Sequence, residues 1–127
     1  LHGELLKVRS INDYYLQQNW HEDLNLGDLD SKGNQLRPHI VWFGEDVPAL
    51  EMAIDITMKA DILVIIGTSL QVYPAAGLMH YAQPDTPLFY IDPKPNAIQN
   101  LNNAIEVIPE IASEGMKILK KKLLATF

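Results

Sequence analysis

The stretch ADILVIIGTSLQVYPAAG, residues 60–77, carries the strongest indication of a fold class in this chain. Its apolar run, ILVIIG at 62–67, has no polar face and predicts a central parallel strand that helices cover on both sides. The turn Gly67–Thr68–Ser69 follows at once, and Pro74 predicts the start of the next helix. This order of strand, turn and helix is typical of α/β domains, which bind ligands beyond the carboxyl ends of their strands.

The same alternation continues on both sides of that stretch. HIVWF at 39–43 predicts one strand, and LFYID at 88–92 predicts another. Pro48 begins a segment whose apolar residues recur at helical spacing and predict a helix with one buried face. That face consists of Ala49, Met52, Ala53, Ile56 and Ala60. With a last helix over residues 110–124, we predict an α/β fold with a largely parallel sheet and helices on both faces.

Residues 10–37 interrupt this pattern. They are polar, with turn signals at Gly27–Asp28 and at Lys32–Gly33–Asn34. Connections longer than about 12–15 residues are uncommon unless they are functional or form a subdomain of their own. We therefore predict that residues 1–9 and 38–127 form the α/β domain and that residues 10–37 form a small inserted module.

Composition excludes several classes of function. The formal net charge of −6 argues against general affinity for nucleic acids or anionic membranes. No apolar run approaches the roughly 18–20 residues of a membrane span. The chain has no cysteine, which excludes disulfides and thiolate metal sites and fits a cytoplasmic protein. Because Leu1 stands where an initiator methionine would, we expect the chain to begin at a processing or fragment boundary.

Three positions could carry chemistry, and each also has an ordinary structural interpretation. The Gly67–Ser69 turn could hold a phosphate or ribose, or it could simply end a strand and cap a helix. Asp92 could accept ribose hydroxyl protons, or it could form a turn before Pro93. His2 is followed by Gly3 and could be a general base open to a ligand. The residue types alone leave these alternatives open.

Taken in order, the motifs resemble those of the sirtuins, the NAD-dependent protein deacylases. The resemblance rests on LHG at 1–3, RPHIVWFGE at 37–45, GTSLQVYPAAGL at 67–78, ID at 91–92 and IASEGM at 111–116. These five segments match successive family signatures in order and spacing over nearly the whole chain. The resemblance implies a partial Rossmann-like parallel sheet, in which residues 1–9 and 38–127 are the C-terminal part of an NAD-binding domain.

The resemblance also implies an enzyme that uses NAD as co-substrate. An acyl-lysine protein or peptide would be deacylated, with nicotinamide and O-acyl-ADP-ribose as the other products. His2 would be the catalytic base that deprotonates a ribose hydroxyl. The substrate-binding residues would be Val41, Phe43, Gly44, Glu45 and Val72. The residues that bind NAD would be Gly67, Thr68, Ser69, Asp92, Ala112 and Ser113.

The sequence departs from the family pattern in the inserted module and after one strand. Most sirtuins carry two cysteine pairs that bind zinc, whereas this chain has Ser10 near the first and LDSKGN at 29–34 near the second. We expect no zinc, and we expect apolar packing to hold the module together. The residues expected to pack there are Tyr14, Tyr15, Trp20, Leu24, Leu26 and Leu29. Asp92 replaces the usual asparagine and would repel a 2′-phosphate, which favours NAD over NADP.

The family's glycine-rich phosphate loop and nicotinamide loop both precede the segment that matches LHG. The chain therefore resembles the C-terminal half of a sirtuin, and on its own we expect it to bind NAD weakly and to turn over little or no substrate. An alternative from another class is a non-catalytic module that binds NAD, ADP-ribose or a protein partner with the same half-fold.

Overall fold

The computed structural model describes residues 1–126 of the chain. Leu1–Pro48 form one unit, and a second unit begins at Ala49. The structure thus groups residues 1–9 and 38–48 with residues 10–37, whereas the sequence prediction assigned them to the α/β domain. This grouping follows from strand pairing, because the strand at residues 3–10 pairs with the strand at residues 36–40.

The first unit is a small antiparallel sheet. Its strands are β1 (Gly3–Ser10), β2 (Gln17–Asn19) and β3 (Leu36–Ile40), in the order β2-β1-β3. The strand predicted over 39–43 is real but lies earlier in the chain, and it ends at Ile40. Val8 and Leu36 are buried, but so are Arg9, Ser10, Asp30 and His39. Polar contacts therefore carry much of the packing of this unit.

The second unit alternates helices with parallel strands. Its elements are α1 (Leu50–Met58), β4 (Leu63–Ile66), a 3₁₀ helix (Ala75–Tyr81), β5 (Leu88–Ile91), β6 (Ile105–Ile108) and α2 (Ala112–Thr126). The strands pair in the order β4-β5-β6, and all of them run parallel. The predicted parallel sheet is therefore confirmed.

The two faces of β5 are covered by different helices. Phe89 and Ile91 point to one side, where they pack with Leu119 of α2. Leu88 points to the other side, where it packs with Met79 of the 3₁₀ helix. Since successive side chains of a strand alternate between faces, this arrangement confirms helices on both sides of the sheet.

Two expectations about burial are wrong. ILVIIG was expected to form a central strand, but among the described strands β4 lies at the edge of the sheet and β5 is central. The predicted buried face of α1 is also open, because the side chains of Met52 and Ile56 are 66% and 65% exposed. Thr57 is instead the buried residue of this helix, and its hydroxyl donates to the carbonyl oxygen of Ala53.

Helix α2 lies close against β5. Gly115 permits this approach, since a Cβ atom at that position would overlap the side chain of Ile91. Leu119, one turn later, is 1% exposed. Within the described part of the chain, neither α2 nor another helix combines the length and the apolar character needed to cross a membrane.

Candidate functional site

His2 lies at the start of β1, and its position is set by backbone contacts. Its carbonyl oxygen accepts a hydrogen bond of 2.9 Å from the amide of Val41. Gly3 makes this contact possible because its φ is +97° and a Cβ atom there would overlap the carbonyl oxygen of His39. The side chain of His2 is exposed. The LHG motif therefore presents an imidazole next to the segment that follows β3.

Residues 41–47, here called the 41–47 loop, follow β3 and contain four of the predicted substrate-binding residues. Two of them, Phe43 and Gly44, lie in open positions. Phe43 is 93% exposed, and Gly44 has a φ of +87°. Val41 is half-buried. The amide of Glu45 donates to the carbonyl oxygen of Trp42 at 3.1 Å, which closes a turn. The 41–47 loop thus exposes an apolar ring and a tight turn.

The fourth of these residues, Glu45, directs its carboxylate back toward the sheet. Both of its oxygens accept from the guanidinium of Arg37, at 2.6 and 3.1 Å. The amide of Trp42 donates to the same carboxylate at 3.0 Å. These contacts, first of all the hydrogen bonds from Arg37, hold the pKa of Glu45 below its ordinary value. The Glu45 carboxylate therefore forms hydrogen bonds within the protein, to Arg37 and Trp42.

The Gly67–Thr68–Ser69 turn begins where β4 ends. The amide of Gly67 donates to the carbonyl oxygen of Ile91 at 2.9 Å, which extends the pairing of β4 with β5 by one residue. Gly67 has a φ of +63°, and the space that a Cβ would occupy is open. Thr68 Oγ1 accepts from the amide of Leu70 at 3.1 Å. The backbone at this turn can therefore be approached closely by a ligand.

Two residues that sequence reasoning missed hold the turn in place. Tyr90, fully buried in β5, donates its hydroxyl hydrogen to the carbonyl oxygen of Thr68 at 2.7 Å. Asn96 Nδ2 donates to the carbonyl oxygen of Ser69 at 2.7 Å. One feature of the sequence indicates such a role for Tyr90, namely its position inside an apolar strand. A tyrosine hydroxyl that is buried usually has a hydrogen-bond partner.

The remaining residues predicted to bind NAD lie at the same edge of the sheet. Asp92 directly follows β5, and its amide donates to the carbonyl oxygen of Ile108 at 3.3 Å. Asp92 Oδ1 accepts from the amide of Lys94 at 2.8 Å. Ala112 and Ser113 begin α2, which is drawn to the end of β5 by the contact at Gly115. The carboxyl ends of β4 and β5 and the first turn of α2 thus meet at one edge.

A cleft of about 380 Å³ adjoins this edge. It is lined by Ser69, Leu70, Gln71, Tyr73, Met79, His80 and residues 96–100. Val72, the fifth residue predicted to bind substrate, lies in the same segment and is 45% exposed. Its carbonyl oxygen accepts from the amide of Ala76. The cleft thus lies between Ser69, the last turn of the 3₁₀ helix and the segment over residues 96–100.

The residues in the place of the family's zinc site do not fit that metal. The Asp30 carboxylate accepts from the amides of Lys32 and Asn34, at 2.8 and 2.9 Å, and from Asn34 Nδ2. The buried Ser10 hydroxyl also hydrogen-bonds to this carboxylate and, as the largest influence, holds the pKa of Asp30 far below its ordinary value. Zinc sites use thiolates, imidazoles and carboxylates, but here one carboxylate is already saturated by donors. Residues 1–126 contain no group of three or more His, Cys, Asp or Glu side chains that could hold a metal.

The expected apolar packing of this module is wrong for half of its residues. Leu26 is 95% exposed, Tyr15 is 83% exposed and Leu29 is 52% exposed. Tyr14, Trp20 and Leu24 are half-buried. The hydrogen bonds around Asp30 supply the cross-links instead, and they join the end of β1 to the segment before β3.

The predicted site residues thus fall into two groups, one in each unit. The first group is His2, Val41, Phe43, Gly44 and Glu45, and the structure brings these together at one end of the antiparallel sheet. The second group is Gly67, Thr68, Ser69, Val72, Asp92, Ala112 and Ser113, in the unit that begins at Ala49. Their roles toward ligands remain predictions.

Comparison with known proteins gives the same family for sequence and fold. A model of the Sir2 family matches residues 1–74, which is more than half of the chain. An "NAD-dependent protein deacylase" of Helicobacter pylori (strain ATCC 700392 / 26695) is 52% identical over 124 residues, which are 98% of this chain and 54% of that protein. A protein of the same description from Bacteroides thetaiotaomicron is 48% identical over 130 residues, covering 98% of this chain and 55% of that protein.

The chain spans about half the length of the curated relatives it matches. Among solved structures, the crystal structure of a Sir2 homolog–NAD complex superposes with a TM-score of 0.78 and 27% identity. That match covers 99% of this chain and 50% of the other. Motifs, fold and family match agree, and the chain belongs to the Sir2 family.

Proposed function

We propose that the protein is an NAD-dependent protein-lysine deacylase and that this chain supplies its catalytic base and part of its NAD site. The observation that carries the proposal is the edge where Gly67–Ser69, Asp92 and the first turn of α2 meet. Exposed backbone at a glycine turn, a carboxylate and a helix N-terminus are groups that recognise phosphates and ribose hydroxyls. The descriptions of the curated relatives support the same activity.

The residues at this edge fit NAD. The open face of Gly67 leaves room for a phosphate or ribose against the backbone, and the Ser69 side chain is exposed beside it. The Asp92 carboxylate would accept hydrogen bonds from ribose hydroxyls, while Ala112 and Ser113 would lie near the adenine. NAD would supply nicotinamide as the leaving group and the ribose that receives the acyl group.

His2 would act as the general base. A neutral imidazole accepts a proton near pH 7, and this one is exposed rather than enclosed by other side chains. The hydrogen bond from the Val41 amide to the His2 carbonyl fixes the main chain at His2, so that the position of the imidazole depends only on its side-chain rotamer. The proton would move from a ribose hydroxyl to the imidazole.

The 41–47 loop would receive the acyl-lysine. Val41, Phe43 and Gly44 offer apolar surface to the aliphatic stem of a lysine whose charge the acyl group has removed. Phe43 is almost fully exposed, so a peptide would gain apolar burial by covering it. Backbone groups at Glu45 would pair with the main chain of an extended peptide, and the exposed Val72 is a further residue predicted to bind substrate.

We propose a cytoplasmic location and no nucleic-acid or membrane partner. The absence of cysteine fits a reducing compartment, and the net charge of −6 disfavours polyanions. Cell fractionation with an antibody against the chain would test the location. Recovery with the membrane pellet or in a secreted fraction would contradict it.

Nicotinamide release tests the catalytic proposal. The natural gene product that contains residues 1–127 should release nicotinamide from NAD only when an acetyl-lysine peptide is present. His2→Ala should lower the steady-state rate of this release by about a hundredfold or more, because general-base catalysis of a later step in each turnover contributes about 10²–10⁴. His21→Ala, a matched control at an exposed histidine of the same unit, should leave the rate unchanged. Binding of NAD without peptide-dependent release would instead favour a non-catalytic NAD or ADP-ribose module.

A further inference from the structure

Two arginines stand directly opposite each other in the first unit. Arg9 of β1 and Arg37 of β3 are paired across the antiparallel ladder. Like charges in such a pair repel, and Arg9 is 8% exposed, so that water can screen little of the repulsion there. A carboxylate close to both guanidinium groups would offset this repulsion. Neither β1 nor β3 supplies one that pairs with both arginines.

Glu45 provides that carboxylate from the 41–47 loop. Its two oxygens bind the Arg37 guanidinium in a bidentate pair, and Oε2 lies 3.8 Å from Arg9 Nη2. The Arg9 guanidinium also lies 5.1 Å from the centre of the Tyr14 ring, but its buried Nε has no hydrogen-bond partner. Glu45 is therefore the main compensation for two closely spaced cations.

The same carboxylate fixes the shape of the loop. It accepts from the Trp42 amide, while the Glu45 amide donates to the Trp42 carbonyl oxygen. The turn over residues 42–45 is thus closed from both ends and tied to β1 and β3 at once. Phe43 and Gly44 lie between these two fixed points and face outward.

We propose that the side chain of Glu45 is a positioning residue. It holds the 41–47 loop on the Arg9–Arg37 pair so that Phe43 and Gly44 are presented to the acyl-lysine, and the carboxylate itself does not contact substrate. This inference rests on the proposed deacylase function for its consequence in catalysis. The anchoring of the loop stands on the contacts alone.

Hydrogen–deuterium exchange of the natural gene product tests the anchor without reference to activity. Glu45→Gln removes the charge but keeps the shape, and it should speed exchange of the peptide that covers residues 41–47. Arg37→Gln should have a smaller effect, since Arg9 still faces Glu45. Glu4→Gln is the matched control, because Glu4 forms a 2.6 Å ion pair with Lys7 in the same unit. It should leave the exchange of the loop unchanged.

Steady-state kinetics test the positioning role. Glu45→Gln should raise KM for an acetyl-lysine peptide about tenfold while KM for NAD changes less than about twofold. The charge-swapped double variant, Arg37→Glu with Glu45→Arg, should recover part of that loss, because it restores an ion pair between positions 37 and 45 and places a carboxylate opposite Arg9.

Three outcomes would overturn the proposal. Loop exchange could be unchanged in Glu45→Gln, exchange could rise equally over all of residues 1–48, or peptide KM could stay constant although the loop is loosened. If the wild-type protein releases no nicotinamide, the proposed function fails. The exchange measurement then still decides whether Glu45 anchors the loop.

Discussion

Tyr90 and Thr68 join two neighbouring strands at the point where the candidate NAD site begins. The Tyr90 hydroxyl, buried in the middle strand of the parallel sheet, donates to the Thr68 carbonyl oxygen at 2.7 Å. The same hydroxyl oxygen accepts from the amide of Asn96 at 3.3 Å. One side chain thus orders both the Gly67–Ser69 turn and the loop that faces it.

Replacing Tyr90 with Phe should loosen this turn while the sheet remains folded. The ring keeps its packing, but a carbonyl and an amide lose their partner, at a cost of about 1–3 kcal/mol in the free energy of unfolding. Titration calorimetry should show a rise of about tenfold in the Kd for NAD. Tyr81→Phe is the control, since Tyr81 is 48% exposed, and it should change neither quantity. Unchanged NAD affinity in Tyr90→Phe would show that the turn does not need this bond.

Gly3→Ala should destabilise the first unit more than Gly27→Ala does. The two glycines have nearly the same φ, +97° and +99°, but a Cβ at Gly3 would overlap the His39 carbonyl oxygen whereas at Gly27 it meets open space. Both variants carry the backbone strain of about 1–3 kcal/mol, so their difference isolates the overlap. Urea unfolding should give a lower midpoint for Gly3→Ala. Equal midpoints would mean that the close approach of β1 to β3 is not required.

Asp30→Asn should destabilise the module that carries no zinc ligands. The amide that replaces the carboxylate can accept at only one atom, so that part of the set of donors from Ser10, Lys32 and Asn34 is left without a partner. The midpoint of urea unfolding should fall, whereas Asp23→Asn, at an exposed position, should leave it unchanged. Metal analysis of the purified protein should find no stoichiometric zinc. Zinc bound in a one-to-one ratio, or a midpoint that rises with added zinc, would refute this account.

The stability of the first unit should decrease as the pH falls below about 6.5. Burial, with a contribution from the charge of Arg9, lowers the pKa of His39 in the folded protein. In that range the unfolded state binds a proton that the folded state does not, so protonation favours unfolding. The contribution of neutral His39 to the free energy of unfolding is fully present above the pKa that His39 has in the unfolded state. It is lost as the pH falls toward the lower pKa that His39 has in the folded state.

Urea midpoints measured between about pH 7 and pH 5 should show this slope. His39→Gln should flatten it, and His21→Gln should not. A slope that persists in His39→Gln would assign the effect to other groups. Asp30 and Glu45 have lowered pKa values, so their contribution is present above the ordinary carboxyl range and is lost only at more acidic pH.

The parallel sheet could be predicted because its strands carry a strong local pattern. Continuous apolar runs at 62–67 and 88–91 mark strands with helices on both sides, and turns after parallel strands meet at one edge. The order of the strands is not a local property. The apolar character of ILVIIG therefore predicts a central strand, whereas β5 occupies that position among the described strands. The prediction of a buried face on α1 is wrong for a similar reason. Periodicity identifies the apolar face of a helix, but it does not identify the element that packs against that face.

The contacts that shape the site could not be predicted because they depend on register and on distant pairs. Arg9 meets Arg37 only through the pairing of β1 with β3, which contains an irregularity between Gly3 and Val8. The contact of Asn96 with the Ser69 carbonyl joins residues 27 positions apart. Residue types named the groups that could bind NAD, but not the side chains that hold those groups in place.

On the proposed function, this Sir2-family chain takes part in the transfer of an acyl group from lysine to ADP-ribose. Mass spectrometry of a reaction containing the natural gene product, NAD and an acetyl-lysine peptide tests it most directly. We expect O-acetyl-ADP-ribose, deacetylated peptide and nicotinamide in equal amounts, with catalytic turnover to all three products lost in His2→Ala. Deacetylated peptide with free acetate and intact NAD, or no reaction while NAD binds, would contradict it.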